Sequence, residues 1–176
     1  MSEEGYNTIN EYFKGIKDTN DALYELINYF EKEEQPTIII LFGDHNPFLG
    51  DNALAYNTLG IDMSLDNLEG FKNYYQTPYI IYGNNSAKKT LNNDFVGTGE
   101  DISPIFLMNK VFELCSFNGN EYMQYTSELK EKVDVISNFY YKENGIYVKK
   151  EESKYQDIID EYNYVNYYVS RNYGGK

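Results

Sequence analysis

At 176 residues the chain can bury one real core, and its 41% apolar content is ordinary for a globular protein. Its 28 acidic and 15 basic residues give a formal charge of -13, a surface that repels phosphate backbones, so nucleic acid is excluded as a partner. A single cysteine excludes an internal disulfide, and no stretch approaches the ~20 apolar residues of a membrane span.

From Ile9 the apolar residues Tyr12, Phe13, Ile16, Leu23, Leu26, Ile27 and Phe30 keep helical spacing, and Gly15 is a place where the helix could break and restart at Asp18-Thr19-Asn20. Pro36 forbids continuation past the acidic stretch Glu31–Gln35. Thr37–Phe42 is then an unbroken β-branched and apolar run closed by Gly43. Such continuity predicts a central parallel strand buried on both faces. Residues 43–76 lack steady periodicity and predict a long irregular excursion with one short helix near Leu65–Tyr75; loops of that length usually serve a site. Thr77–Tyr82 gives a second apolar strand ending at Gly83-Asn84-Asn85.

Ser103-Pro104 opens a helix with Ser as N-cap and Met108, Val111, Phe112 and Cys115 as its buried stripe, so Cys115 is expected to be a small core residue. A further helix is expected over Glu121–Ile136. Phe139–Tyr141 and Ile146–Val148 form a hairpin around Lys142–Gly145. Tyr155, Ile158, Ile159, Tyr162, Val165 and Val169 mark a closing helix. No repeat, low-complexity linker or secretory leader is visible, and the chain as written is expected to be soluble.

The chemistry-bearing feature is Phe42-Gly43-Asp44-His45-Asn46-Pro47, where the first strand ends. In α/β sheets ligands sit beyond the carboxyl ends of strands, and Gly43 allows a sharp turn there. Asp44 offers a carboxylate oxygen and His45, the one histidine in the sequence, an imidazole nitrogen, a mixed pair suited to Mn²⁺ or Zn²⁺. The alternative is that Asp44 caps a turn while His45 makes one buried hydrogen bond. Three other motifs carry less. Asn84-Asn85-Ser86 matches a glycosylation sequon but reads as a loop, and Gly97-Thr98-Gly99 lacks the strand-to-helix setting of a phosphate cradle. Tyr140, Tyr141, Tyr147, Tyr162, Tyr164, Tyr167 and Tyr168 either bind sugar or pack a helix on the hairpin.

Strand-Gly-Asp-His with a following proline, the preceding helix through Asp21–Phe30, Tyr75–Tyr82 with its Thr-Pro, and Ile102-Ser103-Pro104 together resemble the alkaline phosphatase and sulfatase superfamily. The similarity is closest to its lipoteichoic acid synthase branch and covers residues 9 to about 125. It implies an α/β fold: part of an alkaline phosphatase-like three-layer sandwich with a C-terminal hairpin and helix. Residues 1–125 would be the C-terminal part of the catalytic domain and residues 126–176 its extension. It further implies that Asp44 and His45 are two ligands of one divalent metal, Mn foremost, with Mg or Zn as alternatives.

In that family a threonine attacks a phosphatidylglycerol-type lipid and passes phosphoglycerol to a growing polymer or sugar, outside an anchoring membrane. Thr37, Thr58 and Thr77 lack the strand-to-helix context of that nucleophile. The resemblance therefore implies a missing N-terminal half, no turnover by this chain alone, and pairing with that half or self-association. Sulfatase, phosphodiesterase and phosphoethanolamine transferase activities remain open, as does a tyrosine-rich module that binds wall polymer or protein.

Overall fold

The computed structural model, which describes residues 2–172, begins with one helix, α1 (Glu3–Phe30). Ser2 caps it, its Oγ accepting from the Gly5 amide at 3.1 Å, and Glu3 and Glu4 face the positive end of the helix dipole. Gly15 does not interrupt it. Its carbonyl accepts from the Thr19 hydroxyl, and the exposed Lys17–Asp21 pair two residues later bridges one helical turn.

The chain clusters into two compact units, Met1–Val96 and Gly97–Lys176. In the first, β1 (Ile38–Phe42) pairs with β2 (Tyr79–Gly83), from Ile38 opposite Gly83 to Phe42 opposite Tyr79. The pairing is antiparallel, which corrects the expected parallel strand. Nor is β1 buried on both faces: none of its five residues is fully buried, and Leu41 and Phe42 are exposed. An unbroken apolar run records which faces can be buried, while strand direction is set by how the intervening chain returns. Here α2 (Leu54–Leu59) and α3 (Leu68–Tyr75) fill the excursion and bring β2 back alongside β1.

At the far end of this sheet Asn84 is wholly buried and precedes α4 (Asn85–Leu91) as its N-cap. Its amide donates to the carbonyls of Phe30, Glu33 and Gln35 at 2.9–3.2 Å. Its Oδ1 accepts from the Thr37 and Ala87 amides at 3.1 and 2.8 Å. One side chain thus ties the end of α1, the entry to β1 and the start of α4. The sequon is therefore no loop; its asparagine is a buried junction.

In the second unit Pro104–Phe106 forms a 3₁₀ turn leading into α5 (Leu107–Leu114). Three residues per turn instead of 3.6 rotate the phase of the helix behind it, so Phe106, Leu107, Asn109 and Val111 are buried while Met108 is exposed and Cys115 only half-buried. Ser103 flanks the turn but spends its hydroxyl elsewhere, accepting from the Ile136 amide at 2.8 Å and facing the Ile136 carbonyl at 3.1 Å. The helix expected over Glu121–Ile136 is shorter: α6 (Glu121–Lys130) stops, and β3 (Val133–Ile136) begins a sheet with β4 (Tyr140–Glu143) and β5 (Ile146–Lys149). The hairpin turns on Asn144 and Gly145, both at positive φ, as a two-residue turn between twisted strands requires.

Helix α7 (Gln156–Asn172) closes the unit. Its Ile159 packs with Val133 and Tyr141, and its Tyr162 with Phe106 and Leu129. The tyrosines divide accordingly: Tyr140, Tyr141 and Tyr162 are core, whereas Tyr164, Tyr167 and Tyr168 are exposed on α7. Glu100 bonds Lys130 at 2.7 Å and also meets Lys110 at 3.5 Å, and the Lys130 bond holds its carboxyl below the usual range against the opposing effect of burial.

Candidate metal centre

Where β1 ends, the backbone is pinned on both sides of a two-residue segment. Before it, the Gly43 amide donates to Pro78 O at 3.1 Å, and the Thr77 hydroxyl donates to Gly43 O at 2.7 Å. A Cβ on Gly43 would lie 2.8 Å from Thr77 Cβ, so glycine is needed here for close approach to the neighbouring strand, not for a special turn conformation. After it, Asn46 Nδ2 donates to the carbonyls of Asn73, Tyr74 and Gln76 at 2.9–3.1 Å. Those carbonyls are left over at the C-terminus of α3, which stops because Thr77 precedes a proline. Pro47 O accepts from Tyr56 Oη at 2.8 Å, which fixes the next residue as well.

Between the pins stand Asp44 and His45, whose side chains are 81% and 76% exposed. Asp44 Oδ1 accepts from the adjacent His45 amide at 2.9 Å, a bond that orients the carboxylate. His45 Nδ1 lies 2.9 Å from Asn46 O, and a carbonyl only accepts, so Nδ1 carries a proton, which in the neutral ring leaves the lone pair on Nε2. That Nε2 is 3.5 Å from Asp44 Oδ2. Two ligands each about 2.1 Å from one cation lie roughly 3.0–3.4 Å apart at octahedral or tetrahedral angles, close to the observed spacing. The donor set, one hard oxygen and one imidazole nitrogen, fits Mn²⁺ or Zn²⁺. The alternative of one buried hydrogen bond for His45 does not hold, because its bond to Asn46 O lies in solvent.

The pair stands alone. Among the described residues no group of three or more His, Cys, Asp or Glu is arranged to hold a metal. The hydroxyls of the three threonines weighed above as nucleophiles are engaged with main-chain carbonyls: Thr37 with Gln35, Thr58 with Leu54 and Thr77 with Gly43. The sequence drew attention to Asp44 and His45 but gave no site role to Asn46 and read Thr77 as the start of a strand with a following proline. The available signal was small: a polar amide immediately after the pair, and a hydroxyl two residues before the second strand.

Residues 2–116 match the family model described as Sulfatase. A Rhizobium meliloti (strain 1021) protein named for cyclic beta-1,2-glucan modification is 23% identical over 144 residues, 79% of this chain and 21% of that protein. The chain thus spans about a fifth of the length of the curated relative it matches. No solved structure matches. Among the described residues no helix is long and apolar enough to cross a membrane.

Proposed function

Because the chain belongs to the sulfatase family, we propose that it is part of a metal-dependent transferase that moves a phosphoglycerol group from a phosphatidylglycerol-type lipid to a sugar polymer. The observation that carries this reading is the exposed Asp44–His45 pair at the end of β1, inside the matched region, with Nε2 open and 3.5 Å from Oδ2. The polymer acceptor is favoured by the relative's name, and the outer face of the cell membrane is the corresponding location. Sulfate-ester or phosphodiester hydrolysis is the second reading, since the family match supports those equally.

In this assignment Asp44 supplies an anionic oxygen and His45 a neutral nitrogen, while Asn46 O holds the ring in the tautomer that leaves Nε2 open. A bound divalent cation, Mn²⁺ foremost, would supply positive charge to the oxygens of a transferring phosphoryl group. The remaining ligands and the attacking hydroxyl are assigned to parts of the longer protein outside these 176 residues, since the chain covers 21% of its relative.

The test is Mn²⁺ titration of the whole chain, read on the imidazole resonances of its one histidine. Selective broadening is expected, weakened about tenfold or more by Asp44→Ala. That variant is the necessary control, because a chain of charge -13 collects divalent cations non-specifically. Broadening no greater at His45 than at scattered acidic side chains, or unchanged by Asp44→Ala, would sink the reading and leave an ordinary exposed Asp–His contact.

The same reading gives the sheet a partner. Among the described residues β1 and β2 pair only with each other, so neither has a second strand neighbour, and Leu41, Phe42 and Ile80 are exposed. Unpaired strand edges recruit other chains. Light scattering is expected to show concentration-dependent association, reduced by Ile40→Pro in β1; a monomer at high concentration would count against it.

A further inference from the structure

We propose that Asn46 and Thr77 are positioning residues, which hold Asp44 and His45 ready for a divalent cation from opposite ends of the segment. The inference rests on the metal reading above and goes further, because it assigns a task to two side chains that touch no ligand.

The exposure of the pair sets the problem. A residue with a side chain about four-fifths in solvent has few packing contacts to fix its position, and Asp44 and His45 both lie at that limit. A flexible carboxylate and imidazole would lose conformational freedom on meeting a cation, which weakens binding. What restrains them is the backbone, held at the residues on either side. Upstream, the Thr77 hydroxyl reaches Gly43 O at 2.7 Å beside the Gly43–Pro78 main-chain bond at 3.1 Å. Downstream, the two N–H bonds of Asn46 are shared among three carbonyls of the α3 terminus.

Asn46 also acts through its main chain. Its carbonyl accepts from His45 Nδ1 at 2.9 Å, so the residue whose side chain is locked to α3 is the one that orients the imidazole. A shift of Asn46 therefore moves both the path of the loop and the direction of Nε2. Metal-binding histidines depend on such outer partners, whose loss weakens metal affinity about 10- to 100-fold.

The three acceptors around Nδ2 offer no donor, so a hydrogen-bond donor is needed there, and Asn46→Asp would set a carboxylate against carbonyl oxygens. Thr77→Val keeps the shape and removes the hydroxyl, while Thr77→Ser keeps the hydroxyl.

The experiment uses the full chain, isotopically labelled, with Mn²⁺ as the only probe. In Asn46→Ala and Thr77→Val the midpoint of His45 broadening is expected to rise about tenfold. Thr77→Ser is expected to restore it. Without metal, hydrogen exchange at the Gly43 and His45 amides should quicken in Asn46→Ala and Thr77→Val, with β2 unchanged. If wild type shows no selective broadening, the metal reading fails and this inference with it. If wild type binds and folded Asn46→Ala and Thr77→Val bind as tightly, the positioning role alone is overturned. Thr77→Ser as weak as Thr77→Val would likewise overturn the assignment of the hydroxyl. Should Asn46→Ala fail to fold, the valine and serine variants of Thr77 decide the matter.

Discussion

Replacing Asn84 with alanine is expected to destabilise the unit containing the β1–β2 sheet by about 3 kcal/mol, among the larger effects of any single substitution. The side chain is wholly buried and has five main-chain partners: three carbonyls and two amides. Alanine leaves the Glu33 carbonyl and the Thr37 and Ala87 amides to find water in a space vacated by one amide group, while Phe30 O keeps the Glu33 amide and Gln35 O the Thr37 hydroxyl. Each unsatisfied buried group costs about 1–3 kcal/mol, and partial hydration of the Glu33 and Gln35 side of the junction lowers the sum. Amide hydrogen exchange along β1 and β2 is the appropriate measure, since a chain of two units need not unfold in one step. Protection lowered by about 1 kcal/mol or less would mean that the junction is not what holds α1 to the sheet.

Gly70→Ala is expected to be destabilising by about 2 kcal/mol or more, with the opposite sign to the usual effect in a helix. In a helix interior alanine is normally favoured over glycine by about 1 kcal/mol. At position 70, however, a Cβ would lie 1.9 Å from Ser64 O and 2.8 Å from Ser64 C and N. These are backbone atoms, and they cannot move aside cheaply. Asp62 holds the loop through the Ser64 amide at 2.8 Å and the Asn67 side chain at 2.9 Å, bonds that also keep its carboxyl below the usual range. Gly15→Ala is the matched control, because nothing lies within 4 Å of a Cβ there, and it is expected to stabilise α1 by about 1 kcal/mol. Thermal melts of both variants check the pair. Two shifts of the same sign would show that the contact at Ser64 is not binding on α3.

The mixed α/β class, helix α1, both strands of the first sheet, the Asn-Gly hairpin and α7 were legible because each is written locally, in apolar spacing or turn residues. What was not legible depends on partners far away in sequence. The direction of β1 is settled by a return path of more than thirty residues, which its own composition cannot report. Val133–Ile136 could extend the α6 pattern; as a strand it instead answers to Ser103, 33 residues earlier, and to β4. The stripe of α5 was misplaced by the 3₁₀ turn ahead of it. At the site, Asp44 and His45 announce themselves by type, whereas Asn46 and Thr77 matter for the carbonyls they meet 27 to 34 residues away.

The burial of Asn84 also bears on how the protein can be manufactured. A host that attaches oligosaccharides to Asn-Xaa-Ser sites would meet Asn84-Asn85-Ser86 on the nascent polypeptide, before α4 has docked. A sugar added at that moment cannot be accommodated later, since the amide nitrogen it would occupy is the one that must reach Phe30, Glu33 and Gln35. Modification and folding therefore exclude each other at this residue, and the order in which they occur decides the fate of every molecule. Production in bacteria avoids the competition. Production in a eukaryotic secretory line calls for Ser86→Ala, which removes the acceptor signal at the expense of one bond to Glu34 O and leaves Asn84 free for its buried role.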